Sequence, residues 1–398
     1  MHDNRLFTPQ FAFTFASFFF QGVSFAVFLH LSGFLRDLGA SELTIGALLG
    51  FASIGAVFLR LGLAVAIDRF GRRPLILAGH VVNIASVALH LTLSTIGPLV
   101  VLVTVLHTVA EALLMTTMLV HAADVIPVGR RTEGISIFGV AGQSSIAIGG
   151  LIGDFVLSRY GFSGLWIIAS GIAGVGLITA LPLRDQRPTS EAPDPRGAFD
   201  LLRSRRLRPI WATTLMFSIV LVGFFVFVRT FVDDVGIGSV GMFFSAYSGT
   251  AILLRVTGRR LPAQLGESRM LAAALLTLAV GTALLGAATT DAGVVLAGVF
   301  AGAGHGFVFP ILNSLTVSRS PDRNRGAGLG IFSAIFPLGI IIGGPLVGYL
   351  IERFGYRTSY FTLAVIAATT ALIFGQWDRR VSEPTVTDGT GAIKQKHP

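Results

Sequence analysis

Long apolar stretches alternate with short polar ones along almost the whole chain. A helix needs about 20 mostly apolar residues to cross the hydrocarbon core of a membrane, and twelve stretches come near that length. They form two sets of six, 9–35, 43–67, 74–93, 98–125, 135–156 and 162–181, then 210–231, 240–256, 270–288, 293–315, 327–351 and 360–377. The pattern predicts an all-α membrane protein with twelve transmembrane helices in two six-helix, pseudo-symmetric bundles.

A polar stretch separates the two sets. It contains Pro188, Pro193 and Pro195, which disfavour a long helix, and its charges cannot cross lipid. The last stretch of the chain is also polar, and we expect it to be disordered. We therefore predict four segments, an N-terminal bundle (1–183), a cytoplasmic linker (184–208), a C-terminal bundle (209–380) and a cytoplasmic tail (381–398).

The composition changes the list of possible functions. Only 13% of the residues are charged, against roughly 25% in a soluble domain, so much of the surface faces lipid. The net charge of +9 comes from short arginine clusters between apolar runs. Because no basic face with interleaved aromatics is present, we expect no nucleic-acid partner. The chain has no cysteine, which excludes disulfides, thiolate metal sites and cysteine nucleophiles.

The basic residues also set the orientation, because cytoplasmic segments carry an excess of Arg and Lys. With the N-terminus inside, Arg60 and Arg255 fall within spans and most other basic residues fall in cytoplasmic segments. The outer segments then hold Arg36, Arg159, Arg229, Arg353 and Arg357. This predicts a multi-pass protein of the cell inner membrane with both termini in the cytoplasm.

The two halves resemble each other in sequence. Two sets of residues recur at nearly constant offsets. Six residues of the first half recur 194 residues later: Pro127 as Pro321, Arg131 as Arg325, Gly149 as Gly343, Gly150 as Gly344, Arg159 as Arg353 and Gly161 as Gly355. Two more recur 195 residues later, Arg60 as Arg255 and Gly71 as Gly266. Parallel repeats of this kind are typical of transporters whose halves move about a central site.

Two cytoplasmic segments carry a resemblance to a known family. The stretch Ala64–Pro74 resembles the signature loop between helices two and three of the major facilitator superfamily, matching it at Asp68, Arg69, Gly71, Arg72 and Arg73, with alanines in place of its first glycine and its leucine. The stretch Asp124–Arg131 resembles the family's acidic element after helix four. The resemblance implies a secondary transporter, similar to bacterial twelve-helix proton-coupled efflux permeases, that acts as a monomer on a small molecule without a cofactor.

We expect these loops to form a cytoplasmic gate. An acid such as Asp68 in a basic loop contradicts a purely topological role, and it can complement a helix N-terminus or pair with Arg130 or Arg131. The alternative is an anchor made only of cytoplasmic charges. The predicted gate residues are Asp68, Arg69, Gly71, Arg72, Arg73, Asp124, Arg131 and Arg60, with snorkelling of its charge to the interface as the alternative for the last.

The candidate for proton coupling is Glu111. It lies 13 residues after Pro98, about 20 Å along a helix, where an ionisable group is expensive and suggests function. Its repeat equivalent is His305, and His107 lies one helical turn before it on the same face. We predict that Glu111 carries the proton and that His305 tunes it or binds substrate across the cavity. The alternatives are a neutral packing glutamate and a structural histidine.

Three other functions compete with proton-coupled efflux. A proton-coupled importer of the same fold is the first. A membrane-embedded enzyme that uses Glu111 and His305 is the second, but the sequence holds no HExxH, no Ser/His/Asp spacing and no metal cluster, so we expect neither an enzyme nor a metal. A receptor on a transporter fold is the third, and the expected soluble domain is missing. The sequence contains no Walker motif, so we expect no ATP hydrolysis by this chain.

The orientation is testable because the chain lacks cysteine. Single cysteines at Lys394 and at Arg196 are expected to be protected from membrane-impermeant thiol reagents in intact cells and to react once the cells are opened. Labelling of either position from outside would show that the predicted orientation is wrong.

Overall fold

A computed structural model describes residues 5–185, 200–258, 260–321 and 324–382. These ranges contain thirteen helices of five or more residues and no β-strand. The helices are α1 (Pro9–Val27), α2 (Leu31–Asp37), α3 (Glu42–Phe70), α4 (Arg72–Leu89), α5 (Pro98–Val125), α6 (Arg131–Ala180), α7 (Arg208–Phe225), α8 (Val228–Val235), α9 (Val240–Thr257), α10 (Leu261–Leu265), α11 (Glu267–Ala287), α12 (Asp291–Arg319) and α13 (Arg325–Ser382).

Within the described part, 10 helices are long and apolar enough to cross a membrane. Two of them, of 48 and 54 residues, are each long enough for two passes. Each is interrupted by one glycine outside the helical region, Gly161 in α6 and Gly355 in α13. The predicted number of twelve is met when each of these two helices is counted as two spans.

Two of the predicted loops are shorter in the structure than the sequence indicates. They connect the fifth span to the sixth and the eleventh span to the twelfth. The chain turns at Gly161 (φ +61°) and Gly355 (φ +78°), a left-handed conformation that glycine adopts without a steric penalty. Two other expectations fall largely outside the described residues, the linker at 186–199 and the tail beyond 382. Helix α13 nevertheless continues to Ser382, past the predicted start of the tail.

Helix packing follows the sequence repeat. In the first half α1 packs on α6, α3 on α5, and α4 on both α5 and α6. The equivalent pairs of the second half are α7 with α13, α9 with α12, and α11 with both α12 and α13. The repeated glycines Gly71 and Gly266 share a φ of +85° and +86°. The two halves therefore share a helix arrangement as well as sequence positions.

The two most extensive helix pairs between the halves are α3 with α13 and α6 with α9, and α2 also contacts α8. In the first pair Gly46 and Gly344 lie so close that a Cβ on either would clash with the backbone carbonyl of the other. In the second pair a Cβ on Gly150 would touch the backbone of Gly241. Small residues let membrane helices approach closely, so that backbone packing replaces the hydrophobic effect that lipid removes.

The contact between α3 and α13 gives a stability test. Gly344→Ala places a methyl group against the carbonyl of Gly46, and we expect a loss of about 1–3 kcal/mol, as for other overpacked sites, seen as a lower melting temperature in detergent. Gly375→Ala is the matched control, since α13 offers open space there and alanine favours helix by up to about 1 kcal/mol. Equal melting temperatures for the two variants would contradict this account of the contact.

Candidate functional site

A cavity of about 330 Å³ lies between the two halves and receives side chains from α1, α3, α5, α7 and α13. Its volume is at the lower end of the range for small-molecule pockets, roughly 300–1,000 Å³. Part of its wall is aromatic and part is polar. The aromatic side chains are Phe25, Phe28, Phe225 and Phe336, and the polar ones are Ser53, Thr104, His107, Thr108, Glu111 and Ser218.

Glu111 lies in the middle of α5, and its side chain is exposed to this cavity. The Arg60 guanidinium of α3 interacts electrostatically with its carboxylate. Arg60 lies ten residues before the end of α3 at Phe70 and on the same helix face as the cavity residue Ser53, seven residues earlier. The gate role predicted for Arg60, and the alternative that its charge snorkels to the interface, both stay predictions.

His107 also lines the cavity, one helical turn from Glu111. Its ring stacks on Phe28 with the ring centroids 3.5 Å apart, and the ring of His90 lies 6.2 Å away. Its Nδ1 is buried and has no hydrogen-bond partner among the described residues. His107 and Glu111 thus occupy one face of α5, as their spacing predicts.

His305 lies elsewhere. It is buried in α12, with 8% of its surface exposed, and its Nδ1 is hydrogen-bonded to the Tyr247 hydroxyl of α9. Its ring packs against Phe217, with centroids 5.4 Å apart, and it is absent from the residues that line the cavity. The structure therefore does not bring Glu111 and His305 together across the cavity.

Three of the other membrane histidines are hydrogen-bonded within the helix bundle, as is usual for histidines with a packing role. His80 is hydrogen-bonded to Ser17 Oγ at 2.9 Å, His30 to the carbonyl of Gly150 at 3.3 Å and His90 to the carbonyl of Ser86 at 2.8 Å. His121 differs, because both of its ring nitrogens are buried without a partner in the described part of the chain.

At the end of the bundle that contains the connection between α3 and α4, part of the signature loop is held by an ion pair and by backbone hydrogen bonds within the first half and the start of the linker. Arg72 is only 4% exposed, and its Nε donates to Asp124 at 2.8 Å. The backbone amides of Arg72 and Arg73 donate to Asp185 at 2.8 and 3.4 Å. A carboxylate at a helix N-terminus is favourable, so Asp185, which sequence reasoning missed because it lies in the polar linker, caps α4.

The other predicted gate residues are less constrained. Arg69 is exposed and lies over the ring of Phe70, 5.2 Å from its centroid, whereas Arg131 is exposed at the start of α6. Arg130 pairs with Glu133 at 2.7 Å rather than with the loop. The side chain of Asp68 falls outside the described part of the structure, so its predicted pairing stays a prediction.

Sequence reasoning also missed a hydrogen-bond network at the opposite end of the bundle. This end contains the connection 38–41, and we call it the outer end. The Glu42 carboxylate of α3 is 9% exposed and accepts hydrogen bonds from three side chains. The donors are Arg36 at 2.5 Å, the Tyr356 hydroxyl at 2.7 Å and the Thr230 hydroxyl at 3.1 Å. Tyr356 and Thr230 belong to the second half, so Glu42 fastens the halves together.

A second carboxylate adds to this fastening. Asp154 of α6 accepts a hydrogen bond from the backbone amide of Gly241 at 2.7 Å, at the start of α9. At the end of the bundle that holds the signature loop, by contrast, the pairs of Arg72 with Asp124 and of Arg319 with Asp378 each join residues of the same half. The hydrogen bonds of Glu42 and Asp154 that cross between the halves thus both lie at the outer end.

A helical membrane protein with two related halves around a small cavity has the architecture of a secondary transporter. The sequence profile described as Major Facilitator Superfamily matches residues 11–262 and 234–397. The chain belongs to this family. This confirms the resemblance found in the signature loops and agrees with the expectation that the protein is not an enzyme.

Curated relatives are uncharacterized transporters of the same family. The MFS-type transporter YhhS of Escherichia coli K12 is 26% identical over 259 residues, or 63% of this chain and 60% of that protein. The alignment thus spans less than two thirds of that relative. The MFS-type transporter STM4428 of Salmonella typhimurium is 23% identical over 350 residues, covering 85% of this chain and 88% of its own length.

Solved structures share the fold at low identity. The nucleoside transporter NupG aligns with a TM-score of 0.76 at 16% identity, covering 93% of this chain and 98% of NupG. The human organic anion transporter MFSD10 aligns with a TM-score of 0.69 at 16% identity, covering 92% of this chain and 99% of its own. These matches establish the fold and leave the substrate open.

The outer network gives a second test. Glu42→Gln removes the charge that holds Arg36 and weakens the bonds to Tyr356 and Thr230, so the halves are expected to separate there more often. In proteoliposomes of known orientation, a Ser53→Cys probe in the cavity should then react several-fold faster with an impermeant thiol reagent applied at the outer end. Asp234→Asn, an exposed acid at that end, is the control. An unchanged rate for Glu42→Gln would show that the network does not hold the cavity closed.

Proposed function

We propose that the chain is a proton-coupled exporter of a small organic molecule. The observation that carries this proposal is Glu111, a carboxylate in the middle of a membrane helix that faces the cavity between the two halves. A carboxylate in that place can bind and release a proton as the cavity opens to either side, and an intramembrane acid otherwise has a high cost.

The proposed cycle is alternating access by the two bundles (1–183 and 209–380) joined by the linker (184–208). Glu42 and Asp154 fasten the halves at the outer end in the present arrangement, which leaves the cytoplasmic side to open. The loop around Asp68, Arg69 and Gly71, together with the Arg72–Asp124 pair, is proposed as the cytoplasmic gate that closes in the other arrangement. We further propose an inner-membrane location, cytoplasmic termini and a monomer.

Import by proton symport is the second candidate, and the electrostatic interaction of Arg60 with Glu111 supports it. If Glu111 is protonated, its carboxylate no longer neutralises the Arg60 guanidinium. A substrate carrying a negative group would then bind more strongly together with the proton than without it. The sequence supports export through the glycine-rich segment around Gly149 and Gly150, which resembles the helix-five motif of proton-driven antiporters but lacks its proline.

The coupling role of Glu111 is tested by Glu111→Gln, which mimics the protonated state permanently. In proteoliposomes, transport driven by a pH gradient is expected to vanish, while exchange of substrate without a gradient survives. The sign of the gradient that drives uptake in the wild type distinguishes export from import. His305→Ala should shift the pH optimum or weaken substrate binding without abolishing coupling.

A packing role for Glu111 predicts a different result. Glutamine preserves the size and one hydrogen-bonding oxygen of glutamate, so a neutral structural residue tolerates the change. Full gradient-driven transport by Glu111→Gln would therefore remove Glu111 as the proton carrier.

A further inference from the structure

The two arginines within the membrane spans have different partners. Arg60 of α3 and Arg255 of α9 are repeat equivalents, and each lies near the repeat-equivalent position on the adjoining helix. Arg60 interacts electrostatically with Glu111 of α5, and Arg255 interacts with His305 of α12, which is the repeat equivalent of Glu111. The second half thus keeps the arginine and replaces the carboxylate that neutralises it.

Arg255 is half-buried and directed into the protein. Its Nε donates to the carbonyl of Gly306 at 3.3 Å, 13 residues before the cytoplasmic end of α12 at Arg319. Its guanidinium also lies beside Gly139 of the first half, since a Cβ there would be 3.7 Å from Nη1. Arg255 therefore does not snorkel to the membrane surface and instead lies at the boundary between the halves.

The groups around Arg255 are neutral hydrogen-bonding groups. Tyr247 and His305 are hydrogen-bonded to each other, and no ion pair joins Arg255 to an acid among the described residues. The deep charges are then Arg60, Glu111 and Arg255, which leave one positive charge uncompensated when Glu111 is ionised. An unpaired charge at that depth is unfavourable and marks the path of a substrate or ion.

We propose that Arg255 binds the negative group of the substrate, and that the substrate class is a small organic anion, a carboxylate, sulfonate or phosphate monoester. The anion occupies the place of the missing carboxylate in the second half. Arg255 is not itself among the residues that line the cavity. The ring of Phe309 packs on His305, the neighbour of Arg255, with centroids 6.3 Å apart, and on the lining residue Phe336 with centroids 5.5 Å apart. An apolar substrate body in this proposal packs on the aromatic wall. This inference rests on the proposed function only in taking the cavity as the substrate site, and it does not depend on the direction of transport.

Three probes of one shape and different charge test the substrate class. Benzoate, benzylamine and benzyl alcohol share the same ring and differ in charge near neutral pH. Binding is measured as the shift in melting temperature of purified protein in nanodiscs, without any gradient. Benzoate is expected to stabilise the protein, because a ligand that binds only the folded state raises its stability, and to bind at least roughly 10-fold more tightly than either other probe, as for a charge-assisted hydrogen bond.

Variants assign that binding to Arg255. Arg255→Gln is expected to weaken benzoate binding roughly 10- to 100-fold, Arg255→Lys to retain part of it, and Arg159→Gln, an exposed arginine beside Phe155, to leave it unchanged. If Arg255→Gln does not fold, Arg255→Lys and the probe series on the wild type decide the question. Equal binding of the three probes, binding of none, or unchanged affinity in Arg255→Gln would overturn the proposal.

The binding assay separates this inference from the coupling proposal. Glu111→Gln is assayed for gradient-driven uptake, whereas Arg255 is assayed for binding at equilibrium. Loss of benzoate selectivity with intact coupling at Glu111 would refute the substrate class alone. Benzoate binding that persists while Glu111→Gln transports normally would refute the coupling alone.

Discussion

The hydrocarbon core contains almost no water, so a charge placed there has to be balanced by another protein group, a proton or a ligand. In this chain the balance differs between the halves. Arg60 interacts electrostatically with Glu111, whose side chain also lines the cavity. Among the described residues, Arg255 has the carbonyl of Gly306 as its hydrogen-bond partner and Tyr247 as a neutral neighbour. In the proposed coupling, protonation of Glu111 changes the charge of the whole region, so that one chemical event alters substrate affinity and helix packing together.

The contacts between the halves are of two physical kinds. Glycine contacts such as Gly46 with Gly344 depend on shape and persist as long as the helices stay together. The outer bonds of Glu42 depend on a charge that three donors share. Buried ion pairs add little net stability, because desolvation offsets attraction, but their geometry is specific. A network of this kind suits a contact that must form in one arrangement and break in another.

The sequence predicted the helices and their repeat well, because apolar length and glycine position depend on local chemistry. Gly161 and Gly355 illustrate this, since both mark turns in the structure. The pairing of side chains was less accessible. Glu111 was expected to face His305 across the cavity, whereas His305 is bonded to Tyr247 and does not line the cavity. The offset between the repeats predicts the backbone position of a residue, but the partner of its side chain depends on which neighbouring helices pack against it.

The carboxylates that sequence reasoning missed have a common cause. Glu42 and Asp185 lie in or beside polar connections, where an acid is ordinarily exposed and gives no signal. Each becomes important through contacts between segments that are distant in sequence, Glu42 with Tyr356 and Asp185 with the amide of Arg72. Comparing the two repeats identifies candidate functional residues in another way, because it shows the positions at which the halves differ. The backbone glycines and the arginines are retained in both halves, while Glu111 and His305 differ. Since the shared positions maintain the fold, the chemistry of transport is expected to depend on the positions where the symmetry is broken.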